Sequence, residues 1–157
     1  MNNDHTYFIN RAIALAQQGI RLEKGGPFGA VVVKDNNIIG EGFNQVTSCN
    51  DPTAHAEITA IRNACKSLAS FSLSGCVLYT SCEPCPMCLG AIFWARLDTI
   101  YYAGDRQDAS DAGFDDALFY EQINLTSQNR VISQVQLERK KALEVFSEWK
   151  SMNKKTY

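Results

Sequence analysis

Apolar and polar positions alternate along the chain in ways that predict most of its elements. Over residues 6–22, Phe8, Ile9, Ala12, Ile13, Leu15, Ala16 and Ile20 recur at helical spacing. Gly25-Gly26-Pro27 stops that helix. Ala30-Val31-Val32-Val33 is a β-branched run, Asp35-Asn36-Asn37 is turn chemistry, and residues 38–43 read as a second strand, so the pattern predicts a hairpin. Residues 44–53 are polar and contain Asp51-Pro52, which predicts a loop. Ile58, Ile61, Ala64, Cys65 and Leu68 form one stripe of a helix over residues 55–68. Residues 76–79 predict a strand, Pro86 opens a helix reaching Trp94 or Arg96, and residues 100–103 predict another strand. The acidic stretch 104–121 reads as a loop with a short helix, residues 131–137 as a fifth strand and residues 143–152 as a last helix. This order predicts an α/β fold: one mixed sheet covered by helices.

Composition changes this picture little. The 157 residues fit one domain, 1–157, and 45% apolar content can fill a core without staples. The net charge of −2 argues against a surface built to hold nucleic acid. No apolar run has the length of a membrane span. Residues 1–5 lack the charged-then-apolar order of a signal peptide, so the expected compartment is the reducing cytoplasm.

The six cysteines carry more information. Cys82, Cys85 and Cys88 fall within seven positions, and clustering of that kind suggests metal over cross-links. His55-Ala56-Glu57 followed by Pro84-Cys85-Pro86-Met87-Cys88 matches the pattern of zinc nucleobase deaminases. One imidazole and two thiolates leave a tetrahedral zinc ion one open position for water, which then ionises near neutral pH. His55 and the Cys85/Cys88 pair both sit where helices should begin, and helix N-termini favour thiolate over thiol. Residues two apart on a helix point to nearly opposite sides, so His55 and Glu57 can share a site only if His55 lies in irregular backbone ahead of the helix. Glu57 would then carry protons from water to substrate without binding the metal. Competing readings are a redox Cys-x-x-Cys pair, a closed zinc site with Cys82 as fourth ligand, and an iron–sulfur cluster, which wants a cysteine at the position of Ile92.

With these residues in hand, the chain resembles the cytidine/deoxycytidylate deaminase superfamily, and within it the bacterial members that act on guanine. The resemblance runs through Gly26-Pro27-Phe28-Gly29-Ala30, residues 50–57, residues 81–92, Ala112-Gly113-Phe114-Asp115-Asp116 and the final Lys154-Lys155-Thr156-Tyr157. It implies a three-layer α/β/α fold with a central mixed five-stranded sheet. It also implies hydrolysis of guanine to xanthine and ammonia, with one Zn2+ per chain on His55, Cys85 and Cys88, and Glu57 as the catalytic proton carrier. For the substrate it implies contacts from Asn44, Asp116, Phe28, Trp94, Ala56 and Tyr157, and a homodimer that exchanges C-terminal segments of about residues 138–157. Guanine presents N1–H and an exocyclic amine as donors and O6 and N7 as acceptors. A carboxylate at Asp116 suits the donors, and the Asn44 amide can donate to an acceptor while its oxygen takes a purine N–H. The main alternative within the superfamily is deamination of adenosine in tRNA, for which the basic tail of residues 139–155 speaks. The alternative outside catalysis is a zinc-stabilised interaction module.

Overall fold

The computed structural model describes residues 5–154 and 156–157. Residues 1–4 and Lys155, which entered the sequence reading, lie outside that range. The first apolar stripe forms helix α1 (His5–Arg21), followed by the hairpin strands β1 (Gly29–Lys34) and β2 (Asn37–Phe43). A single-turn helix α2 (Val46–Cys49) leads to α3 (Ala56–Leu68). Then come β3 (Val77–Cys82), α4 (Pro86–Ala95), β4 (Thr99–Gly104) and α5 (Arg106–Asp111). These elements belong to a unit ending at Asp116; a second unit, Ala117–Tyr157, holds α6 (Ala117–Asn124), a 3-10 turn (Ser127–Asn129) and α7 (Arg139–Ser151). No helix among the described residues is long and apolar enough to cross a membrane.

The sheet order is β2-β1-β3-β4, with the first two pairings antiparallel and β3/β4 parallel. The hairpin turn is the two residues Asp35-Asn36, both at positive φ (48° and 61°), a twist that matches that of the strands it joins. Strand residues divide between two faces, as a two-residue period requires. Val31, Val33 and Tyr79 pack with Phe8 and Leu15 of α1. Ala30, Val32 and Leu78 pack with Ala56, Ala60, Ile61 and Ala64 of α3 and Ile92 and Ala95 of α4. The first unit therefore has the expected three layers.

Gly40 and Gly42 let α3 lie directly on β2. A Cβ at Gly42 would come within 2.5 Å of the Ala56 carbonyl oxygen, and one at Gly40 within 2.5 Å of that of Ala60. Backbone against backbone, this contact fixes the start of α3, where the site lies.

The sheet has four strands, not five. Residues 131–137 adopt no strand, and Val131, Ile132, Val135 and Leu137 are exposed. β-branched residues favour a strand only where a neighbouring strand supplies the ladder, and these have none among the described residues. In the acidic stretch α5 and α6 form in place of one short helix, and α7 starts at Arg139, earlier than the apolar pattern indicated.

Candidate active site

His55 and Cys85 occupy equivalent positions. Each is the residue just before a helix, in extended backbone (φ −69°, ψ 160° for His55; φ −64°, ψ 166° for Cys85). Pro86 takes the first position of α4, where its missing N–H is no loss. Cys88 follows within the first turn. His55 thus lies outside the helix that carries Glu57, which removes the geometric objection to their sharing a site.

His55 Nδ1 lies 3.6 Å from Cys85 Sγ and 3.5 Å from Cys88 Sγ. A nitrogen and a sulfur bound to one tetrahedral zinc are separated by about 3.6 Å. All three ligand atoms lie within 4.8 Å of one another, and no fourth His, Cys, Asp or Glu joins the group among the described residues. Cys82 is turned elsewhere: its Sγ is 3.4 Å from the Asp105 carbonyl oxygen, and burial first, then Glu57, pushes its thiol up to about 11. Ile92 is buried in the core. The donor set fits an ion held by three protein ligands.

Protons are unevenly shared in this cluster. The Cys85 thiol is lowered to about 4, chiefly by its hydrogen bond with Cys88, with His55 and the Cys88 backbone N–H adding to the effect against burial. Cys88 is raised by the same bond and by burial. Its hydrogen bond with Cys85 raises His55 above the usual imidazole value. A cation among these atoms would displace the protons they share. Glu57 is buried, and burial raises its carboxyl above the ordinary carboxylate range. The Cys88 thiol donates to its Oε2 at 3.4 Å and the Thr80 hydroxyl lies 3.4 Å from its Oε1. A carboxyl of this kind can both take and return a proton.

The other expected residues gather unequally. Asn44 is buried, but its Oδ1 accepts from the backbone N–H groups of Gly26 and Val46, each at 3.1 Å. Both lone pairs are occupied, so the oxygen is not available to a purine N–H; only Nδ2 remains, as a donor. Asp116 is raised by burial first and by the Cys85 charge second, which brings it within electrostatic reach of the ligand cluster. Phe28 packs edge-on against Phe114, with centroids 5.0 Å apart. The sequence reading gave Phe114 no role. Gly113, at φ +92°, makes the difference: α5 ends with Gly113 N–H on the Ser110 carbonyl and Phe114 N–H on that of Ala109, and this reversal turns Phe114 onto Phe28. The glycine after an acidic helical stretch was the available signal. Ala56, at the first position of α3, is fully buried. Trp94 on α4 is 65% exposed, and Tyr157, in the second unit, is 70% exposed.

A fold of this order, with an imidazole and two thiols converging from two helix starts beside a buried carboxyl, defines a hydrolytic zinc deaminase. The chain belongs to the family of the cytidine and deoxycytidylate deaminase zinc-binding region, whose model matches residues 2–104. It is 52% identical to the guanine deaminase of Bacillus subtilis over 155 residues, 98% of this chain and 99% of that one. The X-ray structure of guanine deaminase from that organism superposes with a TM-score of 0.95, covering 98% and 99% of the two chains at 52% identity. The tRNA-specific adenosine deaminase of Aquifex aeolicus is 41% identical over 98 residues, covering 62% of this chain and 64% of that one.

Proposed function

We propose that this protein hydrolyses guanine to xanthine and ammonia, in the cytoplasm, as a homodimer whose C-terminal segments exchange. The observation that carries the reading is the near-complete match to a guanine deaminase, which continues through the acidic stretch and the tail, where the matches to tRNA-specific enzymes are shorter. His55, Cys85 and Cys88 would hold the zinc ion. When bound, zinc supplies a water acidified to near neutrality. Glu57 would take one proton from the attacking water as its oxygen bonds to C2 and pass that proton to N3. It would then take the second from the resulting C2 hydroxyl and deliver it to the amine, so that the C2–N bond breaks, ammonia leaves and a C2 carbonyl remains. Asn44 Nδ2 donates to a purine acceptor, O6 or N7, and a 6-amino group in its place would set donor against donor. Asp116 accepts from the purine N–H groups. Phe28, backed by Phe114, Ala56 and Trp94 surround the ring.

The dimer is supported by surface chemistry. The second unit has no buried residue in its helices and exposes Phe119, Ile132, Leu137 and Phe146, an extent of apolar surface that marks an interface. A second copy is its occupant in this reading, and Tyr157 would close the partner's site. Six free thiols, two of them needed as ligands, suit a reducing compartment.

Parallel ultraviolet assays on guanine, adenine, cytosine and cytidine, with a tRNA anticodon stem-loop alongside, test the reading. The expected result is turnover of guanine alone by a dimeric protein carrying one zinc per chain. Inosine in the stem-loop with guanine untouched would overturn it.

A further inference from the structure

Thr80 interrupts an apolar face. In β3 it shares its side of the sheet with Leu78, and on the paired strand it lies opposite Ala30, in the layer that packs against α3 and α4. It is 1% exposed, so its hydroxyl must find its partner inside the protein. Two acceptors stand at equal range: the Gly29 carbonyl oxygen and Glu57 Oε1, each 3.4 Å away. The other side-chain contact of Glu57 is Cys88, whose sulfur is committed to the metal-ligand group. Thr80 is then the remaining side-chain hydroxyl on the carboxylate among the described residues.

We propose that Thr80 is a positioning residue: its hydroxyl holds the Glu57 carboxylate in line for proton transfer. The Gly29 oxygen at the same distance keeps the hydroxyl partnered when the carboxylate moves, so Glu57 is anchored without being locked. A residue of this kind touches neither substrate nor metal. Its loss should slow the chemical step and leave substrate binding and zinc in place. The proposal rests on Glu57 as proton carrier, and a Glu57→Gln control separates the two. Full turnover by that control would refute the carrier, whereas loss of turnover there with Thr80→Val unchanged would refute the positioning alone.

The experiment compares wild type, Thr80→Val, Thr80→Ser and Thr80→Ala in kcat, KM, zinc content and thermal unfolding. Thr80→Val keeps the shape and removes the hydroxyl; Thr80→Ser does the reverse. The expected result is a drop of about tenfold in kcat for the Val and Ala variants, as befits one lost hydrogen bond to a charged group. KM should stay within about twofold, with one zinc per chain throughout, and Thr80→Ser should return most of the rate. Thr80→Val turning over like wild type, or Thr80→Ser falling as far as Thr80→Ala, would overturn the proposal. If Thr80→Val does not fold, the Ala and Ser variants, which differ by one oxygen, give the same comparison. A wild type inert toward guanine but active on the stem-loop would refute the substrate reading alone, and the four chains would then be compared on that RNA.

Discussion

Three helices of the first unit begin in two different ways. Helix α5 opens on an oxygen cap: Asp105 accepts from the backbone N–H groups of Gln107 and Asp108, and the Asp108 carboxylate accepts from the Asp105 N–H in return. Helices α3 and α4 open on His55 and Cys85, in backbone suited to a cap but with no side-chain oxygen there. A cap oxygen contributes about 1 kcal/mol. At α3 and α4 that contribution is given up so that the same positions can present ligands, and the stabilisation passes to the ion. The difference teaches that the site is built into the fold at the two places where local helix stability has been spared.

The largest expected effect tests whether the α3 start is catalytic as well as structural. Glu57→Gln keeps shape and zinc but cannot carry a proton, and turnover should fall by about 10²–10⁴-fold. A variant that kept its rate with full zinc would leave α3 with a structural role only. Zinc removal comes next. Where free zinc exceeds its dissociation constant a thousandfold, chelation should cost about 4 kcal/mol of stability. Hydrogen exchange should then show lost protection at Thr59 and Leu89, whose N–H groups bond the His55 and Cys85 carbonyl oxygens, but not at Asp108; uniform loss would erase the contrast between the helices. The smallest effects are a mirrored pair. Asp105→Ala should lower stability by about 1 kcal/mol and leave zinc bound, whereas His55→Ser should abolish zinc retention yet raise the stability of the zinc-free protein by about 0.5–1 kcal/mol. Equal signs in denaturant melts of the two zinc-free variants would break the comparison.

Much of this was legible in the sequence because it is written locally. The stripe of α1, the Asp35-Asn36 turn and the His-x-Glu and Cys-x-x-Cys spacings each depend on residues close in the chain. The absent fifth strand was not legible, since a strand is a property of two segments and residues 131–137 declare only half of it. Helix α2 was missed for the same reason: its N–H at Val46 is held by the Asn44 side chain, and Thr47 and Ser48 both bond to the Lys24 carbonyl, far back in the chain. Asn44 was expected as a substrate contact, but its donor-only state depends on Gly26 and could not be read from its own position. Thr80 drew no reading at all, because the predicted strand stopped at Tyr79, whereas β3 runs on to Cys82.

The hairpin turn also has a practical use. Asp35 and Asn36 are exposed at one end of β2, and Asn44 follows its other end. Seven residues of strand put the two roughly 20 Å apart. A dye or affinity peptide spliced between Asp35 and Asn36 would therefore ride clear of the chemistry and report on the protein without entering it.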